Sequence, residues 1–158
     1  MSSEKIELRQ ASENDLSNVL GLFERSVREI CGKDYTLAQI NAWISTSLNR
    51  KEVWRKKLEA QYFLVAERDG AMTGFGSLEH NYIDFMYVSA DHQNKGVARI
   101  IYTALEEEAV KNQVDALYSD VSKTARSFFE QRGFKVVHAN NNMLGTENLI
   151  NFRMVKKL

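Results

Sequence analysis

The chain has 158 residues, of which 44% are hydrophobic and 27% charged, values typical of a globular domain and not of a disordered or coiled-coil protein. Lysine plus arginine and aspartate plus glutamate each total 21, so the net charge is zero, which argues against nucleic-acid binding as the main function. The lone Cys31 excludes a disulfide framework and a cysteine-based zinc site.

No apolar run approaches the roughly eighteen residues that a membrane span needs. The first five residues do not begin the apolar segment of a signal peptide. We therefore expect a cytoplasmic protein without a metal ion, folded as a single domain over residues 1–158.

Apolar residues recur with helical spacing early in the chain and then with a spacing of two. The predicted elements of this half are a strand over 6–9, an amphipathic helix from the N-cap Ser12 to Gly32, a second helix from Thr36, a short helix over 53–58, and strands over 62–66, 72–78 and 82–88. The Asp69-Gly70 pair predicts a hairpin between the first two of these strands.

The second half alternates helices with strands, which indicates an α/β sheet with at least one parallel pair. Its predicted elements are a polar loop over 89–95, a helix over 96–111, a strand over 116–121, a helix over 123–131, and closing strands over 134–139 and 148–155. The strand over 82–88 is apolar on nearly both faces, so we expect it at the centre of the sheet.

The segment from Val88 to Arg99 has the features of an anion site. A buried strand leads through a loop to a helix that begins at Gly96, where backbone N–H groups are unpaired and the helix dipole is positive. That arrangement suits a pyrophosphate, and Lys95 and Arg99 flank it without a nearby acid. The segment is neither a Walker P-loop nor a dinucleotide fingerprint, because the required glycines and Gly-Lys-Ser/Thr are missing. Taken alone, it fits a helix that binds nothing equally well.

Two spaced motifs make the chain resemble the GCN5-related N-acetyltransferase (GNAT) superfamily. Gln93-x-x-Gly96-x-Ala98 is similar to its acetyl-CoA loop, and residues 122–134 are similar to its motif Asn-x-x-Ala-x-x-x-Tyr-x-x-x-Gly-Phe. Segments 35–43, 79–84 and 151–154 resemble a bacterial, YafP-like branch. The resemblance implies the GNAT fold, a mostly antiparallel sheet of six to seven strands with a central, splayed parallel pair and helices on both faces.

The resemblance also implies an N-acetyltransferase that moves the acetyl group of acetyl-CoA directly to a primary amine of a small molecule or peptide. Pantetheine would insert beside the central strand, and the loop amides would hold the pyrophosphate. The residues assigned to the cofactor in this way are Met86, Tyr87, Val88, Gln93, Asn94, Lys95, Gly96, Val97, Ala98, Arg99, Ser122, Ala125, Phe128, Phe129 and Arg132.

Phe129 departs from the family motif, which has a tyrosine at this position to protonate the leaving thiolate. Phenylalanine cannot donate a proton. The thiolate would then leave unassisted, or Tyr87, Tyr118 or a water would donate. Otherwise the chain is a non-catalytic acyl-CoA-binding or regulatory protein on the same fold.

Asp84 is the carboxylate of the central strand and a candidate general base, since apolar surroundings would raise the pKa of a buried carboxyl. The alternative is a structural carboxylate bonded to a nearby amide. Strand alternation places Tyr82, Asp84 and Met86 on one face and Ile83, Phe85 and Tyr87 on the other.

Three further residues complete the predicted catalytic group. Glu79 and His80 precede the central strand and are candidates for a proton relay through water, although a surface position fits His80 as well. Tyr82 follows them on the same face as Asp84.

Tyr35, Gln39 and Trp43 are spaced four residues apart, so we expect them on one helix face as a wall of the acceptor pocket. Ordinary helix packing also explains Trp43. The neutral composition disfavours polycationic acceptors. We expect a monomer or homodimer that binds neither nucleic acid nor membrane.

Overall fold

The computed structural model describes residues 5–158. Its strands are β1 (Glu7–Gln10), β2 (Tyr62–Arg68), β3 (Ala71–Glu79), β4 (Tyr82–Val88), β5 (Ala116–Ser122), β6 (Lys135–Leu144) and β7 (Glu147–Lys157). Its α-helices are α1 (Leu16–Ile30), α2 (Leu37–Leu48), α3 (Lys51–Ala60), α4 (Val97–Lys111) and α5 (Arg126–Gln131). None of the described helices is long and apolar enough to cross a membrane.

The described strands form one sheet of seven in the order β1-β2-β3-β4-β5-β7-β6. Neighbouring strands run antiparallel except β4 and β5, which are parallel and lie at the centre. This topology confirms the predicted mixed sheet and the central position of the strand over 82–88.

Helices cover both faces of the sheet. Helices α1, α2 and α3 pack on one face around Phe23, Trp54 and Phe75. Helices α4 and α5 pack on the other, around Ile101 and Phe129.

Glycines in β3 let α4 approach the sheet closely. A Cβ added at Gly76 would lie 2.6 Å from Ile101 Cγ2 and 3.2 Å from the carbonyl oxygen of Phe85. A Cβ added at Gly74 would lie 2.9 Å from the carbonyl oxygen of Tyr87. The position of α4 beside β4 therefore depends on the absence of side chains at these two residues.

Several element boundaries differ from the prediction. Ser12 caps a 3-10 turn, and its backbone N–H donates to Asp15 Oδ2 at 2.8 Å. The α-helix begins only at Leu16. Helix α5 begins at Arg126 because Ser122 Oγ accepts from the Ala125 N–H and holds a turn before it. Strands β6 and β7 extend beyond the predicted bounds to form one long hairpin.

A β-bulge interrupts β4, and it makes the predicted alternation of side chains wrong. The register with β3 passes from Ser77 opposite Phe85 to Leu78 opposite Ile83, so Asp84 is the extra residue. Ile83 therefore packs with Met86 on the α4 face, whereas Phe85 packs on the α1–α3 face. Bulges re-aim side chains in this way and are frequent beside active sites.

Candidate active site

The parallel strands β4 and β5 separate soon after they meet. Their pairing is limited to Tyr82 with Tyr118 and Ile83 with Ser119. Ser119 Oγ donates to the Ile83 carbonyl oxygen at 2.8 Å and marks the last link between the strands. Over the described chain, the rest of β4 has no ladder partner on this side. The two strands thus form a gap lined by unpaired backbone groups, which confirms the predicted splayed pair.

The loop between β4 and α4 has the predicted form of an anion site. Asn94 and Gly96 adopt positive φ values of 62° and 84°, and Gly96 is the N-cap of α4. The first turn of α4 contains no acidic residue. Its free N–H groups and positive dipole end suit a phosphate group.

Gln93 has a different position from the one predicted for a cofactor contact. Its Nε2 donates to the carbonyl oxygens of Val88 at 3.1 Å and Ser89 at 3.2 Å. The side chain therefore stabilises the loop from within, and its contact with the cofactor stays a prediction.

A cavity of about 960 Å³ lies along the gap between β4 and β5. Its lining residues come mainly from α2, from the strands β4 and β5, and from the β6–β7 hairpin. Of the residues predicted to hold the cofactor, Met86, Tyr87, Ser122, Ala125 and Phe129 line it. The others lie outside it, at the end of β4, on the loop, or in and next to α4 and α5: Val88, Asn94, Lys95, Gly96, Val97, Ala98, Arg99, Phe128 and Arg132. The guanidinium of Arg132 stacks on the ring of Phe128, with its carbon 3.7 Å from the ring centroid.

Asp84 lines the cavity with a side chain that is 16% exposed. Lys57 Nζ lies 2.9 Å from Asp84 Oδ2, and Gln61 Nε2 donates to the same oxygen at 2.7 Å. In the described part of the chain, Oδ1 has no hydrogen-bond partner. The carboxylate is therefore held by one oxygen, as the structural alternative expected, and keeps the other available to a ligand.

Asp120 is a second cavity carboxylate, and both of its oxygens are occupied. Arg153 donates to each oxygen at 2.8 Å, Tyr82 Oη donates at 2.7 Å, and Asn140 Nδ2 donates at 2.8 Å. Burial alone would raise the pKa of Asp120, but these hydrogen bonds outweigh it and hold the pKa below the ordinary value. Burial and the bond to Asp120 raise the pKa of Tyr82.

The sequence analysis missed Asp120 and the polar wall that the β6–β7 hairpin forms. Asn140, Asn142 and Asn151 meet there, since Asn151 Oδ1 accepts from the other two side chains at 2.9 and 3.1 Å. His138 lies on the same wall. The run of asparagines at 140–142 and the acid inside a buried strand were the available signals.

Glu79 and His80 do not reach the cavity. Both are exposed where β3 turns into β4, and neither belongs to the cavity lining. Their placement counts against the predicted proton relay, because a relay must reach the reacting groups.

The predicted acceptor wall is only partly assembled. Tyr35 and Trp43 line the cavity, but Tyr35 precedes α2 and donates its hydroxyl to the Ile150 carbonyl oxygen at 2.7 Å. Gln39 lies outside the lining: its Oε1 accepts from the Thr36 N–H, and its Nε2 donates to Asn148. Gln39 thus caps α2 and ties it to β7, and the structure does not bring it together with Tyr35 and Trp43 at the cavity.

A sequence profile of the family described as Acetyltransferase (GNAT) domain matches residues 31–158. The chain belongs to the GNAT acetyltransferase family. YafP of Escherichia coli (strain K12), an uncharacterized N-acetyltransferase, is 31% identical to this GNAT chain over 132 residues, which make up 84% of the chain and 83% of YafP.

Solved structures show the same GNAT fold. A GCN5-related N-acetyltransferase from Rhodopseudomonas palustris has a TM-score of 0.91 and 29% identity, over 96% of this chain and 95% of its own. The PaiA N-acetyltransferase of Thermoplasma acidophilum, solved in complex with coenzyme A, has a TM-score of 0.77 and 22% identity. The match covers 98% of this chain and 99% of the PaiA chain. The family assignment makes this chain an acyl-CoA-dependent acetyltransferase. Residues 5–158 contain no group of three or more His, Cys, Asp and Glu side chains arranged to bind a metal.

Proposed function

We propose that this GNAT protein transfers the acetyl group of acetyl-CoA directly to a primary amine of a small molecule or peptide. The observation that carries the proposal is the gap between β4 and β5, which is lined by a polar cavity and lies on the strand that leads through the loop to the N-terminus of α4. A gap bounded by unpaired backbone groups can hydrogen-bond the amides of an extended ligand arm. The coenzyme A complex of the PaiA protein supports acetyl-CoA as the cosubstrate.

The proposed cofactor site combines backbone groups and apolar surfaces. Free backbone groups of Met86 and Val88 would bind the pantetheine amides, and the amides of residues 94–99 would bind the pyrophosphate. A side chain at Gly96 would crowd that position, and its φ of 84° disfavours one as well. Ser122, Ala125, Phe128 and Phe129 would border the arm on the side of β5 and α5.

Asp84 is the carboxylate best suited to take the proton of the amine. The amine must be neutral to attack the thioester carbon, where a C–N bond forms and the C–S bond breaks. Asp84 Oδ1 is open to the cavity, while Asp120 is hydrogen-bonded through both oxygens. Asp120 therefore serves as a fixed anion that orients Tyr82, and Asp84 as the base.

Tyr87 is our proposed donor to the leaving thiolate. It lines the cavity, and its hydroxyl has no hydrogen-bond partner among residues 5–158. Burial, together with nearby groups such as Cys31 and Asp84, raises the pKa of Tyr87, so the hydroxyl keeps its proton at neutral pH. Tyr118, the other tyrosine considered for this role, does not line the cavity.

The experiment is release of coenzyme A thiol from acetyl-CoA with a panel of primary amines, with mass spectrometry of each amine. The proposal predicts thiol release that depends on the amine and an increase of one acetyl group in its mass. A non-catalytic acyl-CoA-binding protein is the second candidate, because Phe129 replaces the family's tyrosine and is buried among Tyr102, Phe128 and Phe134. Acetyl-CoA binding without any thiol release would favour that candidate.

We propose a single domain and a cytoplasmic, bacterial setting. The single continuous sheet supports the first, and the free, buried Cys31 and the origin of YafP support the second. A monomer and a homodimer both remain compatible with the proposed site, which this chain forms by itself.

A further inference from the structure

The acidic groups of the cavity are already neutralised by basic groups of the same chain. Asp84 and Asp120 are the only aspartate or glutamate residues in the described lining. Asp84 pairs with Lys57 at 2.9 Å and Asp120 with Arg153 at 2.8 Å, and neither cation is part of the lining. A ligand with several positive charges would therefore meet no unpaired carboxylate here.

Arg50 is the one arginine or lysine in the described cavity lining, at the junction between α2 and α3. Its side chain forms no ion pair or hydrogen bond with any residue in the described range 5–158. Since guanidinium is always charged and fits carboxylate or phosphate oxygens in a fork, Arg50 adds an unpaired anion-binding group to the cavity.

Apart from the imidazole of His138, the remaining polar lining carries no formal charge. The side chains of Asn140, Asn142 and Asn151 form one wall, and Thr46 and Ser47 lie beside Arg50 on the other. These groups donate and accept hydrogen bonds without adding negative charge. The cavity as a whole offers one open carboxylate oxygen, one free guanidinium, the imidazole of His138 and otherwise neutral polar groups.

We infer that the amine acceptor is zwitterionic: a primary amine that also carries an anionic group, a carboxylate or a phosphate. Its ammonium binds at Asp84 Oδ1, where it loses the proton, and its anionic group binds Arg50. A polyamine or aminoglycoside is disfavoured, because its additional positive charges would face Arg50 without a matching acid. This inference rests on the proposed function, since it names the substrate of the same site.

The experiment compares pairs of amines that differ only in an anionic group, a carboxylate or a phosphate. For the carboxylate, lysine is compared with cadaverine, and phenylalanine with phenethylamine. For the phosphate, phosphoethanolamine is compared with ethanolamine. Spermidine serves as the polycation. Binding of each is measured by calorimetry with and without saturating coenzyme A, so the result does not depend on turnover. The variants are Arg50→Gln and, as control, Lys51→Gln, which removes the same charge from the neighbouring exposed residue outside the lining.

The inference predicts that at least one anionic amine binds wild type about tenfold or more tightly than its partner, as expected for one charge-assisted hydrogen bond. Arg50→Gln should abolish this preference and Lys51→Gln should keep it. The inference would be overturned if spermidine bound more tightly than the anionic amines, if Arg50→Gln kept the wild-type preference, or if no anionic amine bound at all. Binding of acetyl-CoA by the same preparations tests the proposed function separately. If acetyl-CoA binds but the anionic amines show no preference, only the zwitterionic acceptor is contradicted.

Discussion

Replacing Gly76 with alanine tests the close packing of α4 against the sheet, on which the shape of the cofactor gap depends. The new Cβ would lie 2.6 Å from Ile101 Cγ2, 3.2 Å from Leu105 Cδ1 and 3.2 Å from the Phe85 carbonyl oxygen. Ordinary van der Waals contact begins at 3.4 Å. Ile101 and Leu105 are completely buried, so neither can move aside into solvent.

Overpacking of this kind costs about 1–3 kcal/mol. Alanine also restricts the unfolded chain more than glycine, which offsets about 0.4–1 kcal/mol of that cost. We therefore expect Gly76→Ala to lower the free energy of unfolding by roughly 1–2 kcal/mol, and Tm by roughly 3–6 °C for a chain of this length.

Urea unfolding and calorimetric melting measure the effect directly. Gly21→Ala is the matched control, because Gly21 lies inside α1 and an added Cβ has nothing within 4 Å. There the same substitution should stabilise the protein by about 0.5–1 kcal/mol through helix propensity. Equal stability of Gly76→Ala and wild type would refute the packing argument.

The remaining predictions concern the polar groups of the cavity. Asp84→Asn should lower kcat by about a hundredfold or more in the thiol-release assay, as expected for loss of a general base, and a loss below about threefold would contradict that role. Asp120→Asn should instead lower the free energy of unfolding at pH 7 by about 1–3 kcal/mol in urea, because it leaves the charge of Arg153 without its partner. The pKa of Asp120 is lower in the folded chain than its ordinary value of 3.8. Its carboxylate therefore stabilises the fold fully at pH values above 3.8, and this contribution is lost as the pH falls through the lowered pKa. Wild type should therefore lose more stability than Asp120→Asn on acidification through that range, and parallel losses would argue against the sign of the shift. Tyr87→Phe should lower kcat by about tenfold or more with an unchanged KM for acetyl-CoA, whereas an unchanged kcat would assign the thiolate proton to another donor.

The sequence predicted the elements that frame the site because their signals are local. The apolar run of β4 matches the observed strand from Tyr82 to Val88, and the glycine at position 96 is the N-cap of α4. Apolar periodicity and glycine conformation act over a few neighbouring residues, so both can be identified without the tertiary structure.

The bulge at Asp84 could not be predicted in the same way. It depends on the register between β3 and β4, in which Ser77 and Leu78 face Phe85 and Ile83. The pattern of apolar residues in β4 alone does not encode that register, because both faces of this strand are largely apolar. As a result, the alternation assigned Ile83 to the wrong face.

The polar wall of the cavity was missed for a related reason. Asp120 on β5 and Asn140 on β6 lie 20 residues apart in the sequence. Their side chains meet across β7, which lies between the two strands in the sheet. Long-range pairing of this kind gives no local sequence signal. Gln39 is a further case: a polar side chain on a predicted helix face can cap that helix and bond to a neighbouring strand, as Gln39 does, and its spacing alone does not distinguish this from a ligand contact.

Calorimetric titration of acetyl-CoA tests the central claim most directly. Wild type is compared with Gly96→Glu, which places a side chain and a negative charge at the N-terminus of α4. The matched control is Gly145→Glu, at a hairpin glycine that also has a positive φ, 63°, and open space around it. The account predicts about micromolar binding, near −8 kcal/mol, by wild type and Gly145→Glu and none by Gly96→Glu. Absence of binding by folded wild type, or equal binding by Gly96→Glu, would contradict it.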